Sequence, residues 1–315
     1  MKMKTLLSTL LLSISLTGVS YANNEDKHLF PSNSEEGAEF TVHLALEHNN
    51  ANALWVLGSV SKKSGNYKQA LDFFNRSAKQ GYADAQVELS LMYLEGEGVV
   101  KDAEKGGTWL IKALKKGNAS AQRTFGMIFQ SEEDYEEAVK WYRKAAIQGD
   151  AKAQVNLGAM YGYGQGVIKD DKQAVKWYLK AANQNESAAQ YNLAQAYFSG
   201  IGVVKDDKQA VKWYLKAANQ GRVEAQYNLG LMYFRGGGVL KDYKEAFKWF
   251  HKAANQDYAN AQYYLGLMYS SGKGVTKDLS KAKHWIKKSY ENPNSSTSTV
   301  KLAKDKWKVL ELWKY

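Results

Sequence analysis

The residues of this chain that could carry out chemistry are few and widely spaced. The five histidines form no His-x-x-x-His pair and no Cys/His cluster with the spacing of metal ligands. They are His28, His43, His48, His251 and His284. The chain has no cysteine, and it lacks the Gly-x-Ser-x-Gly motif of a serine nucleophile. We therefore predict no catalytic residue, no metal ligand and no cofactor, and we expect the protein not to be an enzyme.

Five Gly-x-Gly-Val segments invite comparison with phosphate-binding loops. Each segment lies between two predicted helices rather than after a strand, and no Gly-Lys-Ser/Thr follows it. We interpret the glycines as residues of positive φ that end one helix, and the aspartates that follow as caps of the next helix. The segments begin at Gly96, Gly164, Gly200, Gly236 and Gly272, and the aspartates are Asp102, Asp170, Asp206, Asp242 and Asp278.

The loops separate copies of an internal repeat. Residues 169–184 and 205–220 have the same sequence, and self-similarity at a period of roughly 20–50 residues is typical of a repeat architecture. The shared block predicts an amphipathic helix. Its apolar face is formed by Ala174, Trp177, Tyr178, Ala181 and Ala182, and the opposite side by Lys172, Lys176 and Lys180.

Two landmarks give the register of the repeat. A glutamine marks the first helix of each copy, at Gln86, Gln122, Gln154, Gln190, Gln226 and Gln262, and a tryptophan marks the second, at Trp109, Trp141, Trp177, Trp213, Trp249 and Trp285. A glycine in the middle of the first helix, such as Gly230, should let Ala246 and Trp249 pack against the backbone. Truncation of Trp213 or Trp249 to alanine should then cost about 3–5 kcal/mol.

The combined pattern is Ala-x-Ala-Gln-x-x-Leu-Gly-x-x-Tyr, then Gly-x-Gly-Val-x-x-Asp, then Ala-x-x-Trp-x-x-Lys-Ala-Ala. It resembles the Sel1-like repeat family, relatives of the tetratricopeptide repeats, over roughly residues 51–290. Ser90 and Ala194 depart from it at the mid-helix glycine, and Gly106 at the second-helix alanine. The resemblance implies an all-α fold, a right-handed α-solenoid of about seven helix pairs with helical caps. Some cysteine-rich family members have been associated with penicillin binding and β-lactamase activity, so a cell-wall or β-lactam hydrolase-like activity stays open as an alternative.

The resemblance also implies a binding surface, because tetratricopeptide repeats line a concave groove with set positions of each first helix. Carried over to this chain, those positions give the candidate partner-binding residues Trp55, Tyr163, Tyr191, Phe198, Tyr227, Phe234, Arg235 and Tyr263. Tyrosine and arginine offer large contact areas together with hydrogen bonds. The alternative, that these side chains pack one repeat against the next, stays open.

The start of the chain predicts export. Residues 1–22 have the basic start, the apolar stretch and the Ser-Tyr-Ala end of a cleavable signal peptide, cut after Ala22. An uncleaved anchor is the alternative, although the stretch is short for the roughly 20 residues of a bilayer span. We therefore expect a periplasmic or secreted mature chain without a transmembrane segment.

Further expectations concern the domain order. After the signal peptide we expect a flexible leader (23–36), a capping helix (37–50), the repeats (51–290), a linker (291–299) and a second capping helix (300–315). The first cap should turn Ala38, Leu44 and Ala45 inward. The second should use Val300, Ala303, Trp307, Leu310 and Trp313.

Charge favours certain partners. Loss of Lys2 and Lys4 with the signal lowers the formal net charge from +11 to +9, and outside the cytoplasm we expect no nucleic-acid partner for it. Repeated lysines could contact an anionic envelope surface, or they form an ordinary solvated face. The rows are Lys172, Lys208 and Lys244, then Lys176, Lys212 and Lys248, then Lys180, Lys216 and Lys252.

We predict a non-enzymatic exported scaffold that binds a protein or peptide in its concave groove. Family resemblance leaves three roles open for such a scaffold. It could be an adaptor in envelope assembly, a virulence factor for host interaction, or a periplasmic immunity protein that neutralises a secreted antibacterial toxin.

Overall fold

The computed structural model describes residues 42, 43, 45 and 47–314. The predicted signal peptide and leader lie outside these residues. Between residues 47 and 314 the chain forms fifteen α-helices, each 13 residues long, and no β-strand. In chain order they are α1 (Ala51–Lys63), α2 (Tyr67–Lys79), α3 (Ala83–Glu95), α4 (Ala103–Lys115), α5 (Ala119–Ser131), α6 (Tyr135–Ile147), α7 (Ala151–Tyr163), α8 (Asp171–Asn183), α9 (Ser187–Ser199), α10 (Asp207–Asn219), α11 (Val223–Arg235), α12 (Tyr243–Asn255), α13 (Ala259–Ser271), α14 (Leu279–Glu291) and α15 (Thr297–Val309), and a 3₁₀ turn follows at Leu312–Lys314.

The helices pack as consecutive pairs, from α1 with α2 to α13 with α14, which confirms the predicted α-solenoid. The chain divides into two units. Unit 1 is residues 1–150 and contains α1–α6; unit 2 is residues 151–315 and contains α7–α15. Within each unit, the second helix of one pair also contacts the first helix of the next.

In several helix pairs the space beside the mid-helix glycine is filled by a ring from the second helix, and that ring belongs to the residue after the tryptophan position. A β-carbon on Gly230 would lie 2.7 Å from Cδ1 of Phe250, so the glycine makes room for Phe250, which is fully buried. This corrects the expectation that Trp249 fills the space, because the next residue on the helix, about 100° further round, faces the first helix. The same contact joins Gly58 to Phe74, Gly126 to Tyr142 and Gly158 to Tyr178.

The tryptophans are less uniformly buried than predicted. Trp213 and Trp249 are buried, whereas the other four, Trp109, Trp141, Trp177 and Trp285, are half-buried. In all six, the lysine three residues later lies over the indole, with Nζ 3.9–5.6 Å from the ring centroid. Lys180 therefore covers Trp177 rather than lying on the opposite side, because its aliphatic stem follows the indole and its ammonium meets the ring face.

The Gly-x-Gly-Val loops have the structural role that was predicted. Gly236 ends α11 with φ 84°, and Gly238 has φ 71°. A β-carbon on Gly238 would lie 2.3 Å from the carbonyl oxygen of Asp207, so this glycine allows close approach to the start of α10. Asp242 then caps α12 by accepting the backbone N–H of Glu245 at 3.0 Å. All five predicted aspartates are N-caps of second helices.

The register glutamines connect three helices. Gln226 in α11 donates to the carbonyl of Ala218 in α10 at 3.1 Å. Its Oε1 accepts a hydrogen bond of 2.8 Å from Nε2 of Gln256, which ends α12. Equivalent pairs of 2.8–2.9 Å join Gln148 to Gln122, Gln184 to Gln154 and Gln220 to Gln190. A buried amide is thus satisfied from both sides.

Short caps adjoin the first and last pairs. Val42 and Ala45 are buried against the α1–α2 core; Ala38 and Leu44 lie outside the described residues. Helix α15 begins at Thr297, three residues before its predicted start, because Ser296 caps it. On its inner face Ala303 is buried, and Trp307 and Leu310 are half-buried. Val300 is half-buried as well, and Leu312 of the 3₁₀ turn completes this core, whereas the side chain of Trp313 is outside the description.

None of the helices that the structure describes combines the length and the apolar character needed to cross a membrane.

Candidate functional site

Successive first helices carry the candidate partner-binding residues. In unit 2, Tyr163 is the last residue of α7, and the others lie on α9, α11 and α13. These are Tyr191 and Phe198 on α9, Tyr227, Phe234 and Arg235 on α11, and Tyr263 on α13. Trp55 lies on α1 in unit 1. The two units are therefore described separately.

A cavity of about 360 Å³ lies between α9 and α11, and we call it the α9–α11 cavity. Its lining residues are Gln195, Phe198, Tyr214, Asn228, Leu231, Met232, Arg235 and Gly237. Phe198 and Arg235 are both predicted binding residues, and both are exposed. The volume falls in the roughly 300–1,000 Å³ range of ligand pockets in proteins.

The lining combines apolar and polar groups. Phe198, Leu231 and Met232 supply apolar surface, and Arg235 is the one charged residue of the lining. An arginine can bind a carboxylate through two parallel hydrogen bonds. The cavity therefore has the chemistry to hold an apolar side chain beside a carboxylate.

Tyr214 is a lining residue that the sequence assigned only to the core. It is 2% exposed, and burial raises the pKa of its hydroxyl well above the usual value. The Asn228 side chain, which also lines the cavity, offsets part of this rise in pKa. The phenol of Tyr214 therefore stays neutral at physiological pH. In the sequence Tyr214 is equivalent to Tyr178 of the repeated block, and that position predicts packing between helices only.

Tyr191 is held beside the cavity rather than in it. Its ring lies 5.9 Å from the ring of Tyr214, and the Arg222 guanidinium lies 4.8 Å from its centroid. Gln195 donates a hydrogen bond to its hydroxyl. These contacts leave Tyr191 half-buried, with burial raising its pKa. It positions Gln195, which does line the cavity.

Tyr227 and Phe234 pack mainly between helix pairs. Tyr227 lies 5.2 Å from the ring of Tyr258, and Phe234 lies 5.8 Å from the ring of Tyr264. Tyr264 in turn stacks on Phe250 at 4.9 Å. Burial raises the pKa of Tyr227. Both predicted residues are half-buried, so their contacts favour the packing interpretation that the sequence left open.

The remaining predicted residues do not join this site. Tyr163 is 79% exposed. Tyr263 lies beside Tyr264, with ring centroids 5.9 Å apart. Trp55 lies 5.8 Å from Tyr82 in unit 1, and among the described residues its buried indole nitrogen has no hydrogen-bond partner. The structure brings Phe198 and Arg235 together and distributes the other six along the chain.

All nine lysines of the three predicted rows are exposed. The third row, Lys180, Lys216 and Lys252, lies over tryptophan rings as described above. In the first two rows, Lys212 approaches an indole, with its Nζ 5.9 Å from the Trp213 ring centroid. Within the described residues, no group of three or more His, Asp or Glu side chains is arranged to hold a metal ion.

The sequence profile of the Sel1 repeat family matches this chain seven times. The matches cover residues 57–82, 83–118, 126–150, 151–186, 187–221, 223–258 and 259–294. The chain belongs to the Sel1 repeat family. The glutamine pairs and glycine–ring contacts described above are therefore features of its Sel1 repeats.

Two solved structures are similar to this Sel1 repeat chain over most of its length. A Sel1 repeat protein from Oxalobacter formigenes is 31% identical with a TM-score of 0.63, over 97% of this chain and 90% of that one. The protein c5321, a protective antigen present in uropathogenic Escherichia coli strains, is 36% identical with a TM-score of 0.65. That similarity covers 80% of this chain and 56% of that one.

Curated relatives match shorter segments. The ERAD-associated E3 ubiquitin-protein ligase component HRD3 of Candida glabrata is 27% identical over 122 residues, which is 36% of this chain and 15% of that protein. The chain spans 10–15% of the length of the curated relatives it matches. The similarity therefore concerns the repeats and not the whole of those proteins.

Proposed function

We propose that this Sel1 repeat protein is an exported, non-enzymatic scaffold that binds a protein partner by holding one of its peptide segments in the α9–α11 cavity. The observation that carries the proposal is the lining, in which exposed Phe198 and Arg235 stand beside Leu231 and Met232. The segment that fits has an apolar side chain next to an acidic side chain or a C-terminal carboxylate. Apolar contact supplies affinity, and Arg235 fixes orientation.

A peptide selection tests this function directly. Phage-displayed random peptides are selected on purified residues 23–315 and counter-selected on the Phe198→Ala/Arg235→Ala double variant. Enriched peptides should contain the apolar–acidic pair, and their affinity for the double variant should fall at least about tenfold, since a hydrogen-bonded charged contact is lost. Tyr163→Ala is the control, because this exposed side chain is not part of the cavity lining.

Two results would overturn the proposal. One is the absence of any enriched peptide under conditions in which the chain is folded by circular dichroism. The other is a set of peptides that bind the double variant and the wild type equally.

Export is the second part of the proposal, and residues 1–22 support it through their signal-peptide pattern. Expression with a C-terminal tag should give a processed chain that begins at Asn23 in the periplasm or the medium. Mass spectrometry of the intact protein measures this. A chain that keeps its first 22 residues in the membrane fraction would instead indicate the anchor.

The partner's identity then distinguishes the three roles. An envelope adaptor should select segments of envelope proteins, a host-directed factor segments of host proteins, and an immunity protein a toxin encoded beside it.

A further inference from the structure

A second cavity lies in unit 1, between the end of α2 and the end of α4. Its volume is about 500 Å³, and we call it the lysine pocket. It is lined by Ala78, Lys79, Gly81, Gln86, Trp109, Lys112, Lys115 and Lys116. Four of these eight residues are lysines and none is acidic, so the pocket concentrates positive charge without an internal counter-charge.

A buried polar group in this pocket has no partner. Gln86 on α3 is 3% exposed. Its Nε2 donates to the carbonyl of Ala78 at 3.2 Å, but among the described residues its buried Oε1 accepts no hydrogen bond. An unsatisfied buried acceptor is costly, roughly 1–3 kcal/mol, and its presence at the wall of a cavity indicates a missing hydrogen-bond donor.

The other repeats show what is different here. In four of them a glutamine at the end of the second helix donates to the register glutamine, as Gln256 does to Gln226. In this repeat Lys116 occupies that position, and its ammonium donates instead to the carbonyl of Gly81. Lysine at this position thus replaces a neutral donor by a cation and leaves Oε1 of Gln86 without a donor.

The rest of the wall suits a ring. Trp109 is half-buried, and Lys112 lies over it with Nζ 4.1 Å from the ring centroid. The pocket thus offers the part of Trp109 that Lys112 leaves uncovered, an unpaired acceptor and several ammonium groups within one cavity. A ligand that satisfies all three has an apolar ring face, at least one O–H donor and more than one negative oxygen.

We propose that the lysine pocket binds an anionic sugar, with a hydroxyl donating to Gln86 and phosphate or carboxylate groups bound by Lys112, Lys115 and Lys116. Binding requires Lys116 to exchange the Gly81 carbonyl for the anionic group, a rotation that its exposed and flexible side chain permits. The source of the sugar is either a small sugar phosphate or an acidic polysaccharide. The site is independent of the α9–α11 cavity, and each can be tested without the other.

Calorimetric titration of residues 23–315 in 0.15 M salt tests the proposal with four probes. They are glucose 6-phosphate, tetragalacturonate, the neutral sugar maltotetraose and inorganic phosphate. We expect at least one of the two acidic sugars to bind at least about tenfold more tightly than both maltotetraose and phosphate, because only these sugars combine hydroxyl donors with negative charge. The acidic sugar that binds more tightly identifies the source.

Variants separate the site from general charge. Lys116→Gln restores the glutamine pair of the other repeats, so it should keep or raise the melting temperature. It should also lower the affinity for the acidic sugar at least about tenfold. The control Lys176→Gln removes the same charge from an exposed position on α8 and should leave affinity unchanged. Lys112→Gln/Lys115→Gln, at two exposed positions, provides a second loss of binding if Lys116→Gln fails to fold.

Three results would overturn the proposal. The first is that neither acidic sugar binds. The second is that phosphate binds as tightly as the sugars, which would make the pocket a simple ion site. The third is that Lys176→Gln weakens the sugar as much as the pocket variants do.

Discussion

Two phenylalanines in neighbouring repeats have opposite surroundings. Phe250 is fully buried against Gly230, whereas Phe198, at the α9–α11 cavity, is 43% exposed. Since the two side chains are identical, any difference in their contribution to stability comes from burial and not from residue type. The residue after the tryptophan, rather than the tryptophan itself, should dominate the stability of a helix pair.

Phe250→Ala should therefore lower the free energy of unfolding by about 3–5 kcal/mol, because it removes buried ring surface and leaves a cavity. The control Phe198→Ala should change it by about 0.5 kcal/mol or less. Urea unfolding followed by circular dichroism measures both. Equal effects of the two variants would show that Phe250 is not the anchor of its pair.

Tyr178 should make the free energy of unfolding depend on pH in the alkaline range. Burial raises the pKa of its hydroxyl from 10.0 to about 12, so the folded state favours the neutral phenol. The resulting stabilisation is fully present below pH 10 and is lost as the pH rises from about 10 to about 12. Tyr178→Phe cannot ionise, and its unfolding free energy should fall less steeply over this range.

The measurement is urea unfolding at several pH values between 9 and 12. Tyr67→Phe removes an exposed phenol and should keep the pH dependence of the wild type. The same slope for Tyr178→Phe and wild type would contradict a buried neutral phenol at this position.

At the scale of the helices, the glutamine pairs connect one helix pair to the next. Gln226 joins α10, α11 and the end of α12, whereas Gln86 in the equivalent position has only its bond to Ala78. The two positions form a natural comparison, because the same substitution removes two hydrogen bonds in one repeat and one in the other.

Gln226→Met should lower the free energy of unfolding by about 1–3 kcal/mol, since the partners of a buried amide are left unpaired. Gln86→Met should cost about 1 kcal/mol less, because it also removes an acceptor that is already unsatisfied. Denaturant unfolding of the two variants gives the comparison. A larger loss for Gln86→Met would mean that the Gln–Gln pair contributes nothing.

Sequence pattern was sufficient for most elements and insufficient for several contacts. The repeats, the helix ends at glycine and the aspartate caps follow from local chemistry, which a repeated pattern displays many times. The partner of Gln226 lies 30 residues later, and the contact of Gly230 with Phe250 depends on which side of α12 faces α11. Helix rotation and pairing of this kind are decided by tertiary packing, so the pattern pointed to Trp249 instead.

The candidate site was predictable to a smaller extent. Phe198 and Arg235, two of the predicted binding residues, both line the cavity. Tyr214 and Asn228 were missed as lining residues, because the same residue types recur at Tyr178 and Asn192 in the preceding repeats and indicate packing. A cavity depends on the size and position of individual side chains in one repeat. A pattern shared by all repeats does not contain such local differences.

On the scale of the whole molecule, stability of a repeat array is roughly a sum of repeat and nearest-neighbour terms. All eight lining residues of the α9–α11 cavity lie in unit 2, and so do the ring partners of Tyr191 and Tyr227. Unit 2 also contains α15, which packs against α14 and α13 and covers the last pair. Its first pair, α7 and α8, separates the cavity from the N-terminal end of the unit.

Residues 151–315 expressed alone should therefore fold and bind the selected peptides within about threefold of the affinity of the full chain, because nearest neighbours of the cavity are retained. Circular dichroism should show a helical spectrum and a cooperative melt, and calorimetry measures the affinity. The Phe198→Ala/Arg235→Ala changes in this fragment should remove binding as they do in the full chain. A folded fragment that binds more than tenfold more weakly would show that residues of unit 1 take part in the site, and an unfolded one that the cavity depends on the complete array.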